Sequence, residues 1–288
     1  MAELFERHDK EKFELIAFSF GPETKDEMQI RVSQAFDHFV NVANLSDLEI
    51  ALLSRELGID IAIDLKGVTQ DYRLGIFSYR AAPIQVSYLG YPGTLGAEYI
   101  DYLIADKTLI PKKSQEHYSE KIVYLPNSYQ VNDRHRVIAP TQFTKEALGL
   151  PQDAFVFCCF NNNYKILPDI FECWMQILSK VQNSILFLFA DNEFVIVNLK
   201  KYAELSGINS NRLIFGNRTS YAEYLSRYNL CHLFLDTFPY NGGTTSFELS
   251  WMCVPLLTIK GDRFISKCGE SINNNLNMHD WIADDEED

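Results

Sequence analysis

The sequence lacks any long apolar run. No window approaches the roughly 20 apolar residues that a membrane-spanning helix needs. The N-terminus, MAELFERHDKEKFELIAF, has no basic segment followed by an apolar stretch, so it does not match a signal peptide. These absences predict a cytoplasmic protein without a membrane segment. Hydrophobic residues make up 47 % and charged residues 23 % of the 288 residues, which is typical of a folded chain long enough for two domains.

Positive charge is scarce. Lysine and arginine number 26 against 39 acidic residues, and the formal net charge is −13. Phosphate backbones are bound by clustered positive charge. The composition therefore argues against a nucleic-acid partner, although one small basic pocket is compatible with it.

Paired cysteines and metal-ligand spacings are also missing. The six cysteines all follow residue 157, none forms a Cys-x-x-Cys pair, and most lie in apolar runs, which favours buried, reduced thiols. The six histidines are scattered, and His232 is expected in the core because it lies in an apolar strand. No metal is predicted.

Three common catalytic motifs are absent. The chain has no Gly-x-Gly-x-x-Gly after a strand, no Gly-x4-Gly-Lys-Ser/Thr and no Gly-x-Ser-x-Gly. A nicotinamide-dependent oxidoreductase, a P-loop nucleotidase and an α/β-hydrolase therefore receive little support.

Short apolar strands alternate with helical segments along the whole chain, which predicts an α/β protein with parallel sheets. A polar stretch without sustained periodicity, 131–151, predicts a boundary near residue 145, with lobes 1–145 and 146–288. No strand precedes the helix expected over 2–8, and the chain stops in an acidic run after Trp281. Both ends are therefore expected to be truncated.

A loop rich in glycine and threonine follows the strand predicted over His232–Asp236. It reads FPYNGGTT and leads into a predicted helix. Gly242 and Gly243 allow close backbone approach and positive φ, and a helix N-terminus attracts an anion such as pyrophosphate. Glu248, one turn later, is placed to accept hydrogen bonds from ribose hydroxyls. A simple turn that caps a helix fits the same spacing.

Three asparagines and a lysine end the strand predicted over Ala154–Phe160, in the segment FNNNYK. Open α/β sheets bind ligands at the carboxyl ends of their strands. Lys165 is suited to neutralise charge on a departing pyrophosphate. An asparagine-rich turn with a solvated lysine fits equally well.

The loop GYPGTLG follows the strand predicted over Ile84–Leu89. Its glycines would let the backbone approach a small ligand. A structural turn is the better interpretation of this loop by itself.

Four segments resemble the catalytic region of the O-linked N-acetylglucosamine transferase family, most closely its bacterial members. They are AAPIQVSYLGYPGTLGAEYIDYLIAD, HYSEKIVYLPNSYQVNDRHR, FNNNYK and FLDTFPYNGGTTSFELSWMCVPLLTIKGDRFISK. The resemblance covers essentially the whole chain. It implies a GT-B glycosyltransferase architecture of two Rossmann-like lobes, with an incomplete N-terminal lobe. It also implies inverting, metal-independent transfer of N-acetylglucosamine from UDP-GlcNAc to Ser or Thr of an acceptor protein, with tetratricopeptide repeats encoded upstream.

The resemblance also implies roles for individual residues. Lys165 matches the lysine that contacts the diphosphate and helps the leaving group depart. The implied nucleotide-sugar contacts are Asn162, Tyr164, Thr219, Tyr221, Tyr224, Gly243, Thr244, Thr245 and Glu248. The loop that lines the sugar and acceptor side is Gly90, Tyr91, Pro92, Gly93 and Thr94.

The chain departs from the family pattern at several points. Tyr221 and Tyr224 replace a lysine and a histidine of animal relatives, and Gly-Gly-Thr-Thr is similar to spindly-type fucosyltransferases that use GDP-fucose. The YQVNDR and NNNYK segments favour the glucosamine branch. A histidine-bearing loop of the family lies upstream of the segment that matches Met1–Leu4, so no general base is assigned. The alternatives are a GDP-fucose-dependent O-fucosyltransferase and an inactive nucleotide-binding fragment.

Overall fold

A computed structural model of the chain describes residues 1–140 and 143–288. The chain divides into two compact units, Met1–Arg136 and Val137–Asp288. The boundary expected near residue 145 lies within the second unit. Both units alternate strands with helices and pair their strands in parallel, which confirms the predicted α/β class.

The first unit contains a two-stranded sheet and a four-stranded sheet, in the orders β1-β2 and β3-β4-β5-β6. Its strands are β1 Ile16–Ser19, β2 His38–Asn41, β3 Ile61–Asp64, β4 Ile84–Tyr88, β5 Tyr102–Ala105 and β6 Lys121–Tyr124. Its helices are α1 Ala2–Glu6, α2 Glu27–Ala35, α3 Asp47–Glu56 and α4 Gly75–Ser78. Helix α3 begins with a capping box, for which the spacing Ser46-x-x-Glu49 is typical: Ser46 Oγ accepts from the Glu49 N–H while the Glu49 carboxylate accepts from the Ser46 N–H.

Arginine–carboxylate pairs attach α1 to the end of the first unit. Glu3 accepts from Arg134, and Arg31 joins Glu6 to Asp133. The Arg134 guanidinium beside Glu3 holds the pKa of that carboxyl well below its usual range. Ligand atoms of Glu3, Asp133 and His135 lie within 4.8 Å of one another. Since arginines already bind both carboxylates, this cluster is an ion-pair network of the fold.

The second unit contains a six-stranded parallel sheet in the order β12-β11-β10-β7-β8-β9. Its strands are β7 Phe155–Cys159, β8 Ser184–Phe189, β9 Leu213–Gly216, β10 Leu233–Leu235, β11 Leu256–Ile259 and β12 Ile282–Ala283. Its helices are α5 Pro168–Lys180, α6 Glu193–Leu205, α7 Tyr221–Arg227, α8 Thr244–Trp251 and α9 Cys268–Asn275. Strands β7 and β8 are almost wholly buried, so their near-continuous apolar sequences match the double-sided burial of a central parallel strand.

Two details of the sequence-based expectations are wrong. His232 lies exposed just before β10, where its Nδ1 accepts from the Val156 N–H at 2.9 Å and its ring stacks on Phe155. It completes the backbone pairing beside β7 instead of filling the core. All six cysteines are free, and Cys253 is exposed, so burial does not extend to every thiol.

Within the described ranges, the helices are too short or too polar for any of them to span a bilayer.

The capping box of α7 yields a stability prediction. Ser220 Oγ accepts from the Glu223 N–H, and the Glu223 carboxylate accepts from the Ser220 N–H. Ser220→Ala should lower the free energy of unfolding by about 1 kcal/mol, because one helix N–H loses its acceptor. All tryptophans lie in the second unit, so tryptophan fluorescence during urea unfolding reports on it.

Ser179→Ala is the matched control. Its exposed hydroxyl donates only to the Gln176 carbonyl within α5, and such a change should stay within about 0.5 kcal/mol of the parent. Equal unfolding curves for the parent and Ser220→Ala would contradict the assigned role of the cap.

Candidate functional site

The candidate residues of the second unit collect where two neighbouring strands end. Strands β7 and β10 pair in parallel, and the carboxyl ends of parallel strands lie at the same edge of a sheet. The asparagine–lysine segment follows β7, and the glycine–threonine loop follows β10. The two segments that the sequence singled out therefore lie side by side.

Lys165 reaches directly into the glycine–threonine loop. It closes a short 3₁₀ turn, and its Nζ donates to the Asn241 carbonyl at 2.9 Å and lies 3.9 Å from the Tyr240 ring centroid. Burial lowers the pKa of Lys165, while the charge of Asp236 acts in the opposite direction. The ammonium is thus a partly desolvated cation beside the loop.

Asp236, which the sequence analysis left without a role, lies at the centre of this region. Its buried carboxylate accepts from the Gly242 and Thr237 N–H groups at 2.8 and 2.9 Å. It also accepts from Thr258 Oγ1 at 2.9 Å and Asn161 Nδ2 at 3.2 Å. Burial raises the pKa of Asp236 to about 6. A signal was present in the sequence, since this carboxylate immediately follows an apolar strand.

Gly242 is required by close packing. A Cβ at this position would overlap Ser246 Oγ and lie 2.9 Å from Asn161 Oδ1. Both of these buried oxygens have no hydrogen-bond partner among the described residues. Neither Gly242 nor Gly243 has positive φ, so the expected positive φ is wrong. The close packing at Gly242 is against Ser246 and Asn161, and the expected approach of this backbone to a ligand stays a prediction.

The N-terminus of α8 carries uncapped backbone donors. Gly243 is the N-cap and supplies no side-chain acceptor, and the N–H groups of Thr244 and Thr245 have no partner in the described part of the chain. Thr244 is exposed and Thr245 is half-buried. Free N–H groups combined with the helix dipole favour an anion here.

An aromatic cluster lies on α7. The rings of Tyr221 and Tyr224 are nearly parallel at 6.3 Å, and the Tyr224 hydroxyl lies 2.6 Å from that of Tyr228. Burial, followed by the nearby charge of Glu248, raises the pKa of Tyr224 well above its ordinary value. Glu248 is buried in α8, so the α7 cluster and the α8 carboxylate are neighbours.

Arg227 is a site residue that the sequence analysis missed. It is buried, its Nη1 donates to the Asn217 carbonyl at 2.6 Å, and its Nε has no hydrogen-bond partner among the described residues. It lines a small cavity together with Tyr224, Phe160 and Gly216. Its place three residues after Tyr224 on one helix could have revealed it, because such residues share a face.

The remaining predicted contacts of the second unit lie at the surface or have unused polar groups. Asn162 is exposed, and Tyr164 is 64 % exposed with its ring edge-on to Tyr240. Thr219 precedes α7, and its Oγ1 is buried without a hydrogen-bond partner in the described ranges. These groups are available to a ligand.

The predicted acceptor loop, Gly90–Thr94, belongs to the first unit and follows β4. A Cβ on Gly90 would lie 2.6 Å from the Leu65 carbonyl carbon and from Lys66 Cα, so this glycine allows tight packing against the end of β3. Thr94 Oγ1 donates to the buried Glu120 carboxylate at 2.6 Å. The loop is therefore a fixed part of its unit.

In chemical terms, the second unit offers three kinds of group in neighbouring positions. Tyr221, Tyr224 and Arg227 can stack on or bind a planar base. Glu248 can accept from vicinal hydroxyls, and the α8 N-terminus with Lys165 can bind a diphosphate. Together they match a nucleoside diphosphate.

Comparisons with known proteins agree with this arrangement. The family model described as Glycosyl transferase family 41 matches residues 1–145 and 137–288. The chain is 35 % identical over 277 residues to the probable UDP-N-acetylglucosamine–peptide N-acetylglucosaminyltransferase SEC of Arabidopsis thaliana, covering 94 % of this chain and 28 % of that relative. It is 30 % identical over 292 residues to the similarly named SPINDLY of Eustoma exaltatum subsp. russellianum, covering 98 % of this chain and 31 % of that relative.

A solved structure is similar over nearly the whole chain. A mutant of the Thermobaculum terrenum O-GlcNAc transferase superposes with a TM-score of 0.91 at 30 % identity, covering 99 % of this chain and 54 % of that one. This match confirms the predicted GT-B fold class. The chain spans about a third or less of the length of the curated relatives named above.

The packing of Gly242 yields a prediction. Gly242→Ala should destabilise the second unit by about 1–3 kcal/mol, because the added methyl displaces Ser246 or Asn161. Urea unfolding followed by tryptophan fluorescence measures the change. Adding Ser246→Ala should restore part of the loss, since it removes one overlapping atom.

Ser179→Ala is again the control, because its exposed hydroxyl lies in the same unit and donates only to the Gln176 carbonyl. A Gly242→Ala protein as stable as the parent would show that the loop has room for a side chain.

Proposed function

The chain belongs to glycosyl transferase family 41, and from this membership we propose that it takes part in transferring N-acetylglucosamine from UDP-GlcNAc to Ser or Thr hydroxyls of proteins. We further propose that the transfer inverts the anomeric carbon and needs no metal ion or other cofactor. The observation that carries the proposal is the contact of Lys165 Nζ with the Asn241 carbonyl. It puts the cation beside the uncapped N-terminus of α8.

The proposed donor site runs along the second unit. Thr219, Tyr221 and Tyr224 hold the uracil, with Arg227 at its edge. Glu248 accepts from the ribose hydroxyls, and Asn162 and Tyr164 contact the nucleotide sugar. Gly243, Thr244 and Thr245 bind the diphosphate through backbone N–H groups and hydroxyls. The neighbouring positions of α7 and α8 support this order, because Tyr224 lies beside Glu248.

The proposed chemistry is a single displacement. The acceptor hydroxyl forms a bond to the anomeric carbon on the face opposite the diphosphate, the bond from that carbon to the phosphate oxygen breaks, and UDP departs with the electron pair. Lys165 and the α8 N-terminus stabilise the negative charge on the leaving diphosphate. The hydroxyl proton passes to a general base, and no residue is assigned that role.

The acceptor side of the proposal rests on the first unit. The loop Gly90–Thr94 lines the sugar and acceptor hydroxyl, and its anchoring to Glu120 supports a fixed surface there. We also propose that the protein acts in the cytoplasm and that tetratricopeptide repeats, where the full protein carries them, select acceptor proteins. The net charge of −13 supports a protein partner over a nucleic acid.

Removing the Lys165 ammonium tests the proposal directly. Lys165→Ala should weaken UDP binding by roughly tenfold to hundredfold, because a hydrogen bond to a charged group contributes about 1.5–3 kcal/mol. Isothermal titration calorimetry with UDP measures this loss. Lys201→Ala is the control, an exposed lysine of the same unit. Equal affinities of Lys165→Ala and the parent would remove Lys165 from the diphosphate site.

The identity of the base gives a second test. UDP and UDP-GlcNAc should raise the unfolding temperature more than GDP and GDP-fucose at equal concentration, because tighter binding to the folded state stabilises it more. A larger shift with the guanine nucleotides would support the O-fucosyltransferase alternative, which the Gly-Gly-Thr-Thr sequence favours. Nucleotide binding without sugar release or transfer to a peptide would support the inactive-fragment alternative.

A further inference from the structure

We propose that Asp236 is a positioning residue of this site, because its carboxylate holds the backbone of the phosphate loop to which Lys165 is anchored. It does not itself contact the nucleotide. The inference rests on the proposed function, since it assigns the group that shapes the proposed diphosphate pocket.

The carboxylate joins separate segments of the second unit. One oxygen accepts from Gly242 N in the loop, from Thr237 N at the end of β10 and from Asn161 Nδ2 after β7. The other accepts from Thr258 Oγ1 in β11. These donors belong to three neighbouring strands and the segments that follow them. A short carboxylate can accept from all of them because both of its oxygens are acceptors.

These contacts reach Lys165 through Asn241. Lys165 Nζ donates to the Asn241 carbonyl, and Asn241 Nδ2 donates to the Thr237 carbonyl at 2.8 Å. Asp236 accepts from the N–H groups of Thr237, four residues before this asparagine, and of Gly242, directly after it. Fixing the Asp236 carboxylate therefore fixes the carbonyl to which the lysine is anchored.

The surroundings of Asp236 exclude water. A Cβ on Gly269 would lie 2.8 Å from Asp236 Oδ2 and would overlap Thr258 Oγ1, so the start of α9 closes tightly over the carboxylate. Charges interact strongly where solvent is excluded. The negative charge of Asp236 accordingly favours the charged form of Lys165, in opposition to burial.

Titratable side chains around the pair include Tyr240, whose ring centroid lies 3.9 Å from Lys165 Nζ, and two cysteines. Cys159, at the end of β7, is affected by the charges of both Asp236 and Lys165, and Cys268, at the start of α9, lies near Lys165. Burial raises the pKa of Cys159, so that thiol is neutral at neutral pH. With a pKa of about 6, Asp236 is ionised there and supplies the counter-charge of Lys165.

The test compares the parent with Asp236→Asn, which has nearly the same shape but no charge. Its amide oxygen can still accept from Gly242 and Thr237, and Thr258 can rotate to accept from the amide. UDP affinity is measured by calorimetry from pH 5 to pH 9. Asp236→Asn should bind UDP at least tenfold more weakly at pH 8, and its loss of affinity with rising pH should begin at lower pH. The UDP phosphate titrates in the same way in both experiments, so it does not contribute to the difference between the two pH profiles.

Matched variants separate positioning from general damage. Asp153→Asn, an exposed aspartate of the same unit, should leave the profile unchanged. When Lys165 is already replaced by alanine, adding Asp236→Asn should no longer change the pH at which UDP affinity falls in alkaline solution. Identical pH profiles of the parent and Asp236→Asn would overturn the proposal.

A ligand-free measurement keeps this inference distinct from the proposed function. The Lys165 side chain is titrated by ¹³C NMR in the parent and in Asp236→Asn, and its pKa should be lower in the variant. If no nucleotide binds to the parent, the proposed function is contradicted. The NMR titration still tests whether the charge of Asp236 raises the pKa of Lys165. If Asp236→Asn does not fold, Thr258→Val serves instead: the carboxylate loses one of the donors that hold it, so UDP affinity at pH 8 should fall below that of the parent, with a smaller loss in a Lys165→Ala background. Equal UDP affinities of the parent and Thr258→Val would then overturn the proposal.

Discussion

The contact between the Lys165 ammonium and the Asn241 carbonyl constrains the rest of the site. It joins the segment after β7 to the segment after β10, and it is possible only because these strands are parallel neighbours. The strand pairing thus fixes which loops meet, and the hydrogen bond fixes their separation. An anion bound at the α8 N-terminus would therefore lie near Lys165, the cation that contacts the loop before this helix.

This local balance of charge differs from that of the whole protein. A chain with a net charge of −13 repels anions at long range, yet salt screens such repulsion beyond about 8–10 Å. The α8 backbone donors and a partly desolvated ammonium act at hydrogen-bond distance, where screening is weak. The charge of the buried Asp236 carboxylate acts to raise the pKa of Lys165, in opposition to the effect of burial. Anion binding is thus compatible with an acidic surface.

The sequence predicted the parts of this arrangement that depend on local rules. Parallel strands place their carboxyl ends at one edge of a sheet, so the strand pattern puts FNNNYK and NGGTT at the same edge. The Ser-x-x-Glu spacing of both capping boxes is likewise visible in the sequence. The position of Asp236 after an apolar strand was visible in the sequence, but its hydrogen-bond partners could not be predicted, because two of its donors come from segments distant in sequence. Gly242 was singled out for the wrong conformational reason, since packing against Ser246 was not visible. His232 shows the same limit, because its backbone contact depends on sheet register.

The residues proposed to bind the donor nucleotide and the loop proposed for the acceptor lie in different units. The residues proposed for the base, ribose and diphosphate all belong to 137–288, whereas the loop proposed for the acceptor belongs to 1–136. The donor pocket therefore depends on hydrogen bonds within the second unit, and nucleotide affinity can persist where transfer is lost. Binding of a nucleoside diphosphate would show that the second unit binds the donor nucleotide. It would not test whether the protein binds an acceptor. In the proposed reaction, transfer needs the acceptor loop as well as the donor residues, so product formation is the measurement that distinguishes a transferase from a nucleotide-binding protein.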